Sequence, residues 1–419
     1  PRFSRRTEIV VLSALVDACH RRGNVRDAVR WCQDGAQAAA AEGDSVASAL
    51  FQVRLAETYG ILGDESGSID ALASAETLLD HLGQNALAAE GWIVAGYVYA
   101  ERGDSARAIT AANKAVATSP PQHQGVIGAL RNNIVAWAHT MDGDVEAGIP
   151  SADRAMDFFS NELEDAYHLA VVSLTLGELH LAAGEYDDAL TALALAKRCF
   201  EDIDGRAFRL CVLADTTTAL IAERRFKQAE AMIKKVLDDP STPRDDAYNY
   251  GRVLLNQAIA THDGQANRPT FRTEAQAAVS LLDGYERGRQ MAAHWLHLSN
   301  GDGRGLQELA AACGASGYWD LAAESYAALV TMADEGSSDR ADFVLKSLEA
   351  ALTFNVFLAS RTFEVLRADH NNEWPKVLQY ARSDDGRLGQ LVSAWSKQAL
   401  RPRAQDRGIK LLNNQLELE

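Results

Sequence analysis

Two histidines, His294 and His297, stand three residues apart in the run HWLH. At that spacing on a helix two imidazoles could share a metal ion. No third ligand stands near them in sequence, so they read as a packed or surface pair. The stretch GDGRG (301–305) has the glycines of a phosphate-binding turn but follows no strand-like run, and reads as a flexible loop. Asp187 and Asp188 fall at a helix start, where carboxylates complement the helix dipole. The chain carries no HExxH, no P-loop glycine-lysine pattern, no GxSxG elbow and no calcium loop. Its five cysteines, Cys19, Cys32, Cys199, Cys211 and Cys313, are scattered without a CxxC pair and read as buried reduced thiols. The expectation is therefore a non-enzyme, with no catalytic residue, no metal and no cofactor.

The elements that would position any binding residues announce themselves by repetition. Gly23, Gly63, Gly103, Gly143, Gly184 and Gly264 recur at a step of 40 residues, once 41, with Arg224 standing where the sixth mark falls. Seven or eight positions before each of the first six marks lies a small or compact residue: Val16, Ala56, Gly96, Ala136, Gly177 and Thr217. Five positions after each lies another: Ala28, Ser68, Ala108, Gly148, Ala189 and Ala229. Two antiparallel helices approach to about 8 Å only where no bulky side chain intervenes. Glycine at the mark permits the left-handed conformation that ends a helix. The stretch LGELHLAAGEYDDALTALALAK (176–197) thus reads as helix, tight turn and helix, with Gly184 as the turn.

This pattern resembles the tetratricopeptide repeat family. The family's helix pair carries small residues at these offsets and an aromatic two positions past the turn, a place filled here by Tyr186, Phe226 and Trp319. Pro120, five positions after Ala115, matches the proline that closes the family's unit. The resemblance covers residues 8–335. The family's basic unit is shorter, about 34 residues, so a 40-residue step means longer helices, similar to repeats of some signalling scaffolds and of sensor domains attached to bacterial nucleotide-binding regulators. It implies an all-α fold: a right-handed α-α superhelix, a TPR-like solenoid of seven to eight units over 1–335. A helical cap or extension over 336–419 would follow. After Gly264 a longer loop is expected at NRPTFRT (267–273), one or two helices over 342–366, and amphipathic helices over 373–381 and 387–400.

In the family the first helix of each unit lines the concave face. Carried onto this register, the groove positions are Asp17, His20, Arg54, Glu57, Tyr97, Glu101, Asn133, Trp137 and Glu178. Trp137 and Tyr97 would be rigid anchors. Asn133 could hold a peptide main chain, because its amide both donates and accepts. Glu57, Glu101 and Glu178 favour a basic ligand. Asn132 and Asn133 lack the matching lysines of the clamp with which some family members grip a C-terminal carboxylate.

The net charge of −17 argues against nucleic acid as a direct ligand. The basic stretch RPRAQDRGIK (401–410) reads as a solvated tail. No apolar run approaches the length of about 20 residues that spans a bilayer, and no signal peptide opens the chain, so a cytoplasmic location is expected. The start lacks an initiator Met, which fits a fragment or a processed terminus. The expected function is a scaffold that binds a protein or peptide segment, possibly basic, in its groove. The alternative is a ligand-sensing domain of a larger bacterial signalling or transcription regulator.

Overall fold

A computed structural model of the chain describes residues 4–369, apart from positions 84, 263, 267–269 and 336. The helices expected over 373–381 and 387–400, and the basic stretch 401–410, lie outside the described residues. Among the described residues there are 19 α-helices and no strand, arranged as an all-α solenoid. In chain order they are α1 (Arg5–Arg22), α2 (Val25–Glu42), α3 (Ser45–Leu62), α4 (Glu65–Leu79), α5 (Ala86–Glu101), α6 (Ser105–Thr118), α7 (Gln124–Asp142) and α8 (Val145–Asp157). Then come α9 (Ala166–Ala183), α10 (Tyr186–Asp202), α11 (Arg209–Ala222), α12 (Phe226–Leu237), α13 (Ala247–Thr261) and α14 (Phe271–Leu282). The last are α15 (Glu286–Asn300), α16 (Gly303–Ala315), α17 (Trp319–Met332), α18 (Ser338–Phe354) and α19 (Val356–Asp369).

The glycine marks do what their spacing predicts. All six take the left-handed conformation, with φ between 72° and 77°. Arg224 takes it too, at φ 60°, although its side chain makes that conformation costly. At every mark but Gly264, the residue after it is the N-cap of the next helix. The carboxylates of Asp64, Asp104 and Asp144 accept from the amides of Gly67, Arg107 and Ala147 at 2.9, 3.1 and 3.2 Å. A Gly-Asp pair is thus a helix stop followed at once by a helix start. The stretch GDGRG obeys the same rule and is no loop. Gly301 is left-handed, Asp302 caps through Gly305 N at 2.9 Å, and α16 begins at Gly303.

Small residues sit where helices nest. Ala28, Ala56, Ala108, Ala136, Ala189 and Ala229 are completely buried. A Cβ at Gly177 would fall 2.7 Å from Leu193 Cγ, and one at Gly148 would fall 2.5 Å from Leu179 Cδ2. Such overpacking costs about 1–3 kcal/mol. Leu179, Leu193, Ile134 and Trp92 fill the spaces so created and are themselves buried.

Two compact units divide the chain: residues 1–181, 185–264 and 276–288 in the first, and 182–184, 265–275 and the residues from 289 onward in the second. In the first unit, successive helices pack on each other. Odd-numbered helices also touch the next odd one: α3 with α5, α5 with α7 and α11 with α13. They form the inner row. This unit also closes on its own beginning. Tyr285 Oη donates to Ile61 O at 2.7 Å, and Arg26 Nε donates to Asp245 Oδ1 at 3.3 Å. A Cβ at Gly284 would lie 2.6 Å from Gly63 O, so the two backbones meet where only glycine fits. In the second unit α16, α17, α18 and α19 pack in sequence. Ser347 Oγ donates to Ala323 O at 2.9 Å. The stretch 342–366 forms two helices, broken at Asn355.

Candidate binding groove

The inner row of the first unit brings all nine groove positions to one interior. Three neighbouring clusters make it up. The first lies between α1, α3 and α5. Arg54 reaches Glu57 at 3.1 Å, Glu90 at 3.6 Å and Asp17 at 3.7 Å. His20 Nδ1 lies 3.4 Å from Glu57, and its Nε2 lies 2.8 Å from Thr58 Oγ1. Burial works against a charge on Glu57, yet His20 and Arg54 overcome it and hold the carboxyl down at about 2. Burial likewise opposes the charge on Arg54, but Glu57, Asp17 and Glu90 together hold it more firmly than usual. Glu57 is therefore already committed to internal partners, and of the three glutamates expected to attract a basic ligand it is the least available.

The second cluster joins α5 to α7. Asn133 Nδ2 donates to Tyr97 Oη at 3.0 Å, and the Tyr97 and Trp137 rings stand 6.1 Å apart. Burial pushes the Tyr97 phenol well above its ordinary range, against the lowering effect of the Asn133 hydrogen bond. Asn133 is fully buried, whereas Trp137 is half-buried. Asn133 Oδ1 and Trp137 Nε1, one helical turn apart, are both sealed from solvent without a partner among the described residues. An unmet buried donor or acceptor costs about 1–3 kcal/mol.

The third cluster gathers carboxylates from α5, α9, α11 and α13. Asp215 is almost wholly buried, and its Oδ1 accepts a short hydrogen bond from Arg252 Nη2. Its Oδ2 finds no donor. Arg252 also donates to Asn249 Oδ1 at 3.2 Å and lies 5.6 Å from the Tyr248 ring centroid. Glu178 faces Asp215. Burial first, then the Asp215 charge, raises its carboxyl well above the ordinary range. Glu101 is raised to about 8, by burial first and then by Asp246 and Glu57. More than a third of Glu101 is still reached by solvent, although enough protein lies around its carboxyl for burial to be the first cause of the rise. Asp246 is raised by burial, although it accepts from Asn249 N and Nδ2 at 3.0 and 2.9 Å as the cap of α13.

Sequence reasoning missed Glu90, Asp215 and Arg252. A signal for Asp215 existed. It stands nine positions before Arg224, as Arg54 stands nine before Gly63, but the groove register was carried no farther than Glu178.

Elsewhere, His294 and His297 do not share a site. His294 is buried against Ser325 Oγ at 2.9 Å, and burial lowers it to about 4. His297 Nδ1 turns to Asp302 at 2.8 Å. The same clasp, from a histidine four before the turn to an acid one after it, recurs as His180–Glu185 at 2.7 Å and His139–Asp144 at 3.9 Å. Asp188 joins His180 and Glu185 in the one cluster of three possible metal ligands among the described residues. The recurrence gives His180 a structural task in closing the turn. All five cysteines are free thiols. A cleft of about 790 Å³ between α6, α7 and α8 lies over Gly125, Gly128, Arg131, Arg154 and Phe158. No helix among the described residues is long and apolar enough to cross a membrane. No protein-family model matches the chain, and no curated protein matches it.

Proposed function

We propose that the first unit is a binding arm of long-period tetratricopeptide type, which holds a segment of a partner protein in its interior and has no catalytic role. The observation that carries this reading is the convergence of charged and aromatic side chains from five inner helices, α3, α5, α7, α9 and α11, onto one interior. An arm with only a structural task is better served by apolar residues there, because buried charges cost several kcal/mol each unless paired. Trp137 and Tyr97 supply rigid area, and the unmet Asn133 Oδ1 and Trp137 Nε1 are an acceptor and a donor, the complement of a peptide's N–H and C=O. The surplus of carboxylates over guanidinium groups favours a basic segment.

A peptide library displayed against the purified chain tests the reading. Enriched sequences should carry Arg or Lys. The double substitution Asn133→Ala with Trp137→Ala should weaken the best of them by more than about 2 kcal/mol, as hot spots do. Unchanged affinity removes both residues from the site.

A second reading, a ligand sensor within a larger regulator, draws on the closure of the first unit. Few polar contacts, Tyr285 with Ile61 and Arg26 with Asp245, fasten its start to its end. A ligand that favours the open or closed form would shift that balance. A ligand-dependent change in small-angle scattering would support it, and an unchanged profile at saturation would remove it.

A further inference from the structure

The carboxylates of α9 and α11 outnumber the cations that face them. Asp215 gives one oxygen to Arg252 and leaves the other without a donor while buried almost completely. Glu178, which has no ion pair with a described residue, lies beside Asp215. From α13 come Asp246, Tyr248 and Arg252; from α5 comes Glu101; from α3, farther off, comes Glu57; and Cys211 stands beside Asp215 on α11. Arg102, which acts on Glu101, also pairs with Glu65, with Nη2 at 3.1 Å from Oε1. Arg252 is the cation that faces Glu178, Asp215 and Asp246 alike, and Asp215 already engages it.

An ionised Glu178 can only accept, so it cannot satisfy Asp215 Oδ2. Besides the O–H of a water, two arrangements can. In one, Glu178 takes a proton and donates it to Asp215. In the other, an N–H-bearing cation lies between them. We propose that this part of the interior receives a guanidinium or ammonium group of the ligand, which displaces the proton held between Glu178 and Asp215, so that binding expels a proton to solvent. The proposal rests on the reading that the interior binds a ligand, and it names the group that is bound. No bond beyond the O–H of Glu178 breaks; the ligand's positive charge replaces the proton's, and the net charge of the site is unchanged. Burial raises the Glu178 carboxyl and so favours the form that holds this proton until a cation arrives.

Isothermal titration of the full chain at pH 7.5 tests it, with the peptide acetyl-Ala-Arg-Ala-Ala-amide and the same peptide with citrulline for arginine. Each is titrated in phosphate and in Tris, whose ionisation enthalpies differ. Free arginine amide and spermidine are run separately, so that a peptide side chain is distinguished from a free small cation. The expected result is at least about tenfold tighter binding of the guanidinium probe than of citrulline, with an enthalpy that depends on the buffer and reports proton release. In Glu178→Gln, checked for unchanged helicity by circular dichroism, the buffer dependence should vanish. Equal binding of both peptides, or a guanidinium complex that releases no proton, overturns the proposal and leaves the binding reading intact. Binding by none of the probes at millimolar concentration overturns both.

Discussion

Glu101→Gln offers the sharpest test of the wet, acid-rich interior. The wild-type carboxyl is raised from its ordinary value near 4.5 to about 8. At 1.36 kcal/mol per pH unit, such a rise corresponds to about 5 kcal/mol in a dry site. Solvent reaches more than a third of Glu101, and screening reduces the effect to about 1–2 kcal/mol. The sign follows from proton counting. Between pH 4.5 and 8 the native state keeps a proton that the unfolded chain has lost. Stability due to this group is therefore complete at low pH and falls as pH rises through that window. Glutamine is nearly isosteric and carries no charge, so the variant should match the wild type near pH 4 and exceed it by about 1–2 kcal/mol near pH 8.5. Urea unfolding followed by circular dichroism, at half-unit steps of pH, reads the difference directly. Curves for variant and wild type that run parallel from pH 4 to 9 would refute the reasoning, because they would mean that Glu101 titrates alike in both states.

Arg224→Gly should stabilise the chain by about 0.5–1 kcal/mol, since it removes the left-handed penalty at φ 60° and gives back part of the gain as chain entropy; a lower melting midpoint would contradict this. Gly284→Ala forces a Cβ to 2.6 Å from Gly63 O, so it should loosen the closure of the first unit and speed hydrogen exchange at the ends of α1 and α3, while exchange in α6 and α8 stays as it was. Trp137→Phe removes a buried donor that has no partner; stability should stay within about 1 kcal/mol or rise, and a loss beyond about 3 kcal/mol would mean that the indole N–H is satisfied in the folded protein.

Much of the fold was legible because each signal is local. A left-handed glycine, an alanine at a helix crossing and a carboxylate cap act within a few residues, and 40-residue repetition averages out accidents. Gly-Asp pairs were present in the sequence, yet GDGRG looked like a loop because its three glycines weaken helix propensity; the cap at Asp302 overrides that cost. The candidate groove residues were reachable by register alone, but their states were not. Whether Glu57 is paired or Glu101 is held near neutrality depends on groups distant in sequence, His20 for the one and Asp246 for the other. Contact between Gly63 and Gly284 depends on the rotation summed over every intervening joint, and no local pattern encodes that sum. Asp215 escaped because the groove positions were carried only as far as Glu178, although the same offset before Arg224 reaches it.

Hydrogen exchange resolved by mass spectrometry, on the full chain saturated with the tightest peptide from the library, tests the central claim most directly. Protection confined to α3, α5, α7, α9, α11 and α13 is the predicted result. Protection concentrated on α6, α8 and the first half of α7, around the cleft at Arg131 and Arg154, with α3, α5, α9, α11 and α13 unchanged, would contradict it.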